Sequence, residues 1–309
     1  MRALASVLLI FGIAQLATAQ AVPPQQDTTK KAAASGTLWA RRYHAGETVS
    51  YHMTATSQQG SQTIAYEADA NGLVKRNAAG IWYEEIGWSN LIWNREAATL
   101  SPAMLEFREP LSLAAGYRLS VPNLSQVDPR LIGPITDLLT FYADLQLEMQ
   151  QTGLSRAGDH VYFKHGTPSS WADGNYVMTG EDSIDFDITL TEVNAAEHTA
   201  TIVVRHVPPA KPQVKLVASW MQTPVADTPN NWVMVSKGQP GKFIAQVGKE
   251  TFDVRLQVDS TNGRILSASM DNPVKVLERE CSDAALTTCG DPVRFELRRQ
   301  IAMQAAPRK

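Results

Sequence analysis

The chain has 309 residues, with 28 Lys and Arg against 31 Asp and Glu and a net charge of −3. A mildly acidic balance without a basic cluster excludes an electrostatic grip on nucleic acid or on an anionic membrane surface. The hydrophobic fraction of 44% is that of a globular chain, and about 270 residues follow the polar leader, enough to bury a full core.

The first residues, MRALASVLLIFGIAQLATAQ, carry Arg2, an apolar run from Leu4 to Leu16 and the small residues Ala17-Thr18-Ala19. That three-part pattern reads as a secretory signal over residues 1–19, cleaved near Ala19, so the expected location is periplasmic or extracellular. No later segment is apolar for long enough to span a bilayer as a helix. Residues 20–37, QAVPPQQDTTKKAAASGT, are polar and without periodicity and read as a disordered leader.

Short alternating runs begin at Leu38. In ETVSYHMTA, Val49, Tyr51 and Met53 fall on one face, which predicts a half-buried strand. TIAYEADANGLVKRNAAGIWYEEIGW continues the pattern, with turns expected at Asn71-Gly72 and at 77–80. VDPRLIGPITDLLTFYADLQLEMQQTG predicts the one long helix, near 129–150, with Asp128 as N-cap and Pro129 in the first turn. Ile135, Leu138, Leu139, Tyr142, Leu145 and Met149 form its apolar stripe, and Pro134 is expected to kink or restart it. Strands return in SIDFDITL, TIVVRHV and TFDVRLQVD, and Asn262-Gly263 is the strongest hairpin signal in the chain. VRFELRRQIAM is the last strand, with Val293, Phe295 and Leu297 inward. Cys281 and Cys289 are the only cysteines and predict a structural disulfide closing the final hairpin, worth about 2.5 kcal/mol in the chain-entropy model.

The fold class read from these elements is mainly β, a β-rich α+β arrangement. The expected form is a curved antiparallel sheet or half-barrel in meander order with one inserted helix. Residues 38–303 read as one β-rich domain, with a division into two lobes near 207–212 as the alternative and 304–309 as a tail.

Three constellations invite a catalytic reading. HGTPSSWADG holds His165, Ser169, Ser170 and Asp173, the residue types of a hydrolytic triad. Triads converge from separate elements, however, and no G-x-S-x-G elbow is present, so the stretch reads as a loop. Glu84 lies among Trp82, Trp88 and Trp93, which suggests sugar chemistry. Its neighbour Glu85 points to the opposite strand face and cannot flank the same bond. Asp185 and Asp187 share one strand face, which reads as solvated. The six histidines are scattered with no metal-binding spacing, and no Gly-rich phosphate loop occurs, so no metal and no cofactor are expected.

Signal, strands from Glu47 to Trp93, apolar helix at 135–149 and late hairpins together resemble exported carriers of the lipoprotein-carrier type. Those are open β half-barrels lidded by a helix, and the resemblance implies an apolar hollow that accepts acyl chains. It supplies no individual site residue. The sequence thus favours a non-enzymatic, exported protein binding an apolar or amphipathic ligand, lined by Trp82, Trp88, Leu138, Tyr142, Leu145 and Phe186. The alternatives are an exported hydrolase acting on glycans or esters through Glu84, His165 or Asp173, and an envelope module that binds a protein partner.

Overall fold

A computed structural model describes residues 40–307, except 115, 150–152, 165–167 and 173–177, and leaves out the side chains of 125, 171 and 172. The signal and leader readings, His165 and Asp173 therefore lie outside the described residues.

The chain opens with a meander of long strands, β1 (Thr48–Gln59), β2 (Gln62–Arg76) and β3 (Trp82–Trp93). Strict alternation builds them: Val49, Tyr51, Met53 and Ala55 are buried while His52 and Thr56 face solvent. The turn expected at 77–80 forms, with Asn77 Oδ1 accepting from the amides of Ala79 and Ile81 and Gly80 at φ +78°. The turn expected at Asn71-Gly72 does not. β2 runs straight through it, because Gly72 faces Val49 and Ile86 in the two ladders. A Cβ on Gly72 would lie 2.5 Å from Ile86 Cδ1 and 2.6 Å from Val49 Cγ2, so glycine is there for close packing.

Short elements follow: β4 (Glu96–Ala97), α1 (Pro102–Glu106) and β5 (Glu109–Leu111), of which β4 and β5 pair with β3. α2 (Pro129–Met149) is one continuous helix, with Pro134 inside it. Asp128 caps it as expected, its Oδ1 accepting the Arg130 amide at 2.9 Å.

The remaining strands are β6 (His160–Phe163), β7 (Ser169–Ala172), β8 (Met178–Asp182), β9 (Asp185–Asn194), β10 (Thr199–Val207), β11 (Trp232–Lys237), β12 (Phe243–Glu250), β13 (Phe252–Asp259), β14 (Ile265–Cys281) and β15 (Val293–Ala305). All fifteen strands join one antiparallel sheet that does not close. The first and last long strands are neighbours: β1 pairs with β15 from Tyr51↔Ala305 to Gln59↔Leu297. β15 thus runs two residues past the expected end of the domain at 303. Its inward face holds Leu297 and Ile301 as the core, whereas Val293 at the strand start is 55% exposed.

Beyond β14 the sheet forks. One half of β14 pairs with β13 and the other with β12, which leads on to β10, β9 and β6 or to β11, β8 and β7. At the break, the buried Asn231 side chain replaces ladder hydrogen bonds. It accepts from the Glu250 amide at 2.9 Å and donates to the carbonyls of Glu250 and Ser183. Residues 208–231 leave β10 and return to β11, so the proline-marked stretch near 207–212 is a crossover between the prongs. It lays Ala218 and Met221 against Val233, Ala245, Val247 and Leu277 on the outer face, a small second core. There the disulfide Cys281–Cys289 ties the end of β14 to the connection that leads into β15. No described helix is long and apolar enough to cross a membrane.

Candidate functional site

The main core occupies the inner face of the sheet, and α2 lies in it. Leu131, Ile135, Leu138, Leu139, Phe141, Tyr142 and Leu145 are all buried, as the apolar stripe requires. The polar residues between them are buried as well. Thr136, Asp137, Thr140, Asp144 and Glu148 are each 3% exposed or less. The helix is therefore buried on nearly all sides, and its acidic positions need partners from the sheet.

Contacts with the sheet supply Asp137 and Asp144, and a third joins Tyr142 to the sheet. Asp137 accepts from Arg299 Nη2 of β15 and, at 2.8 Å, from Tyr66 Oη of β2. Asp144 accepts from His206 Nε2 of β10 at 2.9 and 3.0 Å, so that nitrogen carries the ring proton. The His206 ring packs between Phe186 and Phe252, 4.8 Å from each ring centre. Tyr142 donates to Glu84 Oε2 of β3, and Tyr51 Oη of β1 lies 3.2 Å from Tyr142 Oη. Because the Tyr142 proton is committed to Glu84, the Tyr51 hydroxyl is the donor in that pair. α2 is thus fastened to five strands at three points of its length.

Glu84 is the centre of the third contact. Arg41 donates to it from Nη2 at 3.0 Å and from Nε at 3.2 Å, and also reaches Glu47 at 2.9 Å. Burial raises the Glu84 and Asp137 carboxyls above the usual carboxylate range, against the pull of Arg41 and Arg299. With 1% exposure and these partners, Glu84 anchors the helix and offers no face to a substrate.

Of the ligand-lining residues expected from the sequence, Trp88, Leu138, Tyr142, Leu145 and Phe186 all belong to the one inner core. Trp82 is half-buried at the start of β3, under the Arg76 guanidinium at 4.1 Å. Asp185 and Asp187 are not a freely solvated pair: Asp185 is buried and accepts from Tyr162 Oη at 2.7 Å, and Asp187 pairs with His160. Among the described residues no group of three His, Cys, Asp or Glu is placed to hold a metal.

Two groups on the inner face are orphaned, of which Trp88 was among the expected ligand-lining residues and Glu109 had no signal in the sequence. Both carboxylate oxygens of Glu109 and the indole Nε1 of Trp88 are buried without a hydrogen-bond partner among the described residues. Burial alone pushes the Glu109 carboxyl up to about 8. Grooves lined by described residues run elsewhere. One of about 400 Å³ crosses the outer face at His52, Thr54, Thr201, Arg255 and Ser267, and one of about 810 Å³ lies along the rim at Glu47–Ser50 and Arg264. Neither draws a residue from α2.

No family model matches the chain, and no curated protein matches it. A solved structure described as "Asymmetric conductivity of engineered proteins" aligns over 84% of this chain and 99% of its own, at 6% identity and a TM-score of 0.21, too distant to carry any argument.

Proposed function

We propose that this protein is an exported carrier of an apolar or amphipathic, lipid-like ligand, and that α2 is the plug that fills its hollow until the ligand displaces it. The observation that carries this reading is the way α2 is held. It fills the concave face of an open sheet and is fastened by three separate polar contacts to five strands. Polar contacts of this kind have discrete bonded and unbonded states, which suits a part that seats and unseats as a body.

The signal-like pattern at residues 1–19 supports export, and a disulfide at Cys281–Cys289 suits an oxidising compartment.

Native mass spectrometry on protein purified from its own envelope, followed by solvent extraction, tests the reading. A reproducible added mass that extracts as lipid is the expected result. A bare mass, together with no uptake of added long-chain amphiphiles, would overturn it.

A further inference from the structure

We propose that Glu109 and Trp88 form the head-group subsite of the hollow and take a ligand whose polar end is a carboxylic acid. This rests on the carrier reading above and names its ligand class.

Register places the two residues together. β5 pairs with β3 so that Glu109 stands opposite Ile86, and opposite residues share a face. Ile86 is fully buried in the inner core, and Trp88, two residues further along β3, is on that same face. Glu109 and Trp88 are therefore diagonal neighbours, within reach of long side chains. Glu109 is 1% exposed and Trp88 is 3% exposed. Both orphaned sets, the two carboxylate oxygens and the indole Nε1, face the apolar side on which α2 lies.

Among the described residues no cation neutralises the carboxyl. Arg108, next to it in the chain, lies over Gly87 on the opposite face of β3, with its guanidinium 2.9 Å from where a Gly87 Cβ would be. There it donates to the carbonyls of Leu105 and Phe107. Burial is the only cause displacing Glu109, so at neutral pH the carboxyl is protonated and offers one donor and one acceptor.

Three unmet groups remain to be matched, and candidate head groups differ in how many they meet. An ammonium donates to both Glu109 oxygens and leaves the Trp88 N–H unmet. A hydroxyl has one donor and two acceptor lone pairs, but its single oxygen would have to serve both Glu109 oxygens and the indole at once, where a carboxylic acid brings two oxygens. An ester accepts but donates nothing. A carboxylic acid, bound in its protonated form with uptake of one proton from solvent, donates to the Glu109 carbonyl, accepts from the Glu109 hydroxyl and accepts a further bond from Trp88, so all three are met without a buried net charge.

The test titrates the full chain at pH 7 with hexadecanoic acid, hexadecylamine and methyl hexadecanoate, read by native mass spectrometry. Wild type should bind the acid at least about tenfold tighter than the amine or the ester, about 1.4 kcal/mol. Glu109→Met should abolish that preference while binding the ester as before, and its melting temperature should equal or exceed that of wild type, because an uncompensated carboxyl has gone. Glu109→Gln, whose amide also offers a donor and an acceptor, should keep the preference. Trp88→Phe should reduce it.

Amine or ester binding as tight as the acid in wild type, or an acid preference that survives in Glu109→Met, would overturn the subsite and leave the carrier reading standing. A Glu109→Met protein that melts several degrees lower would show a purely structural carboxyl and overturn it too. If wild type binds none of the three probes, the carrier reading falls and the subsite falls with it.

Discussion

Glu109→Gln should change how stability depends on pH, in a direction fixed by its surroundings. Burial raises the Glu109 carboxyl from 4.5 to about 8 with no charged neighbour contributing. The unfolded chain therefore ionises first. Stability from this residue is full below about 4.5, falls as pH rises, and stops falling once the folded carboxyl ionises near 8. Each pH unit inside that window costs about 1.4 kcal/mol, so the whole window is worth at most about 5 kcal/mol. Glutamine is nearly the same shape and does not titrate. The variant should gain on wild type by about 2–3 kcal/mol between pH 5.5 and 7.5. Glu250, buried and raised to about 7, adds a slope of the same sign, but it adds it to both proteins and cancels in the difference. Urea unfolding at the two pH values, followed by circular dichroism, measures the gain. A difference between the proteins that stays constant from pH 5.5 to 7.5 would refute the assignment of Glu109 as an uncompensated buried acid.

Two further outcomes test the architecture around the helix. Asp137→Ala leaves the buried Arg299 guanidinium without its carboxylate and should destabilise by about 3–5 kcal/mol in urea titration; a loss under about 1 kcal/mol would mean that the contact does not hold α2. Gly72→Ala inserts a methyl 2.5 Å from Ile86 Cδ1 and should lower stability by about 1–3 kcal/mol in the same assay; an unchanged stability would mean that β1 and β3 do not close on Gly72.

Local patterns were legible where one face of an element alone decides its residues. The alternation in β1 and β13, the Asp128-Pro129 helix start, the Asn262-Gly263 hairpin and the Cys281–Cys289 bridge all follow from neighbours in sequence. Gly72 was misread because glycine after asparagine signals a turn, while its real cause is two side chains on other strands. Nothing in the sequence marked the acids of α2 as buried, because their partners lie far away in the chain. Tyr66 is 71 residues from Asp137, His206 is 62 from Asp144, and Arg299 is 162 from Asp137. The fork in the sheet and the β1–β15 pairing are equally non-local. Glu109 sits on a strand of three residues, too short to show alternation, so nothing marked it as inward-facing.

The central claim is that ligand and α2 compete for one hollow. Hydrogen–deuterium exchange of the full chain, with and without bound hexadecanoic acid, tests it most directly, because local opening appears as faster amide exchange. The account predicts that residues 129–149 exchange at least about tenfold faster in the loaded protein while β1, β14 and β15 keep their protection. Bound ligand with unchanged or increased protection across 129–149 would contradict it.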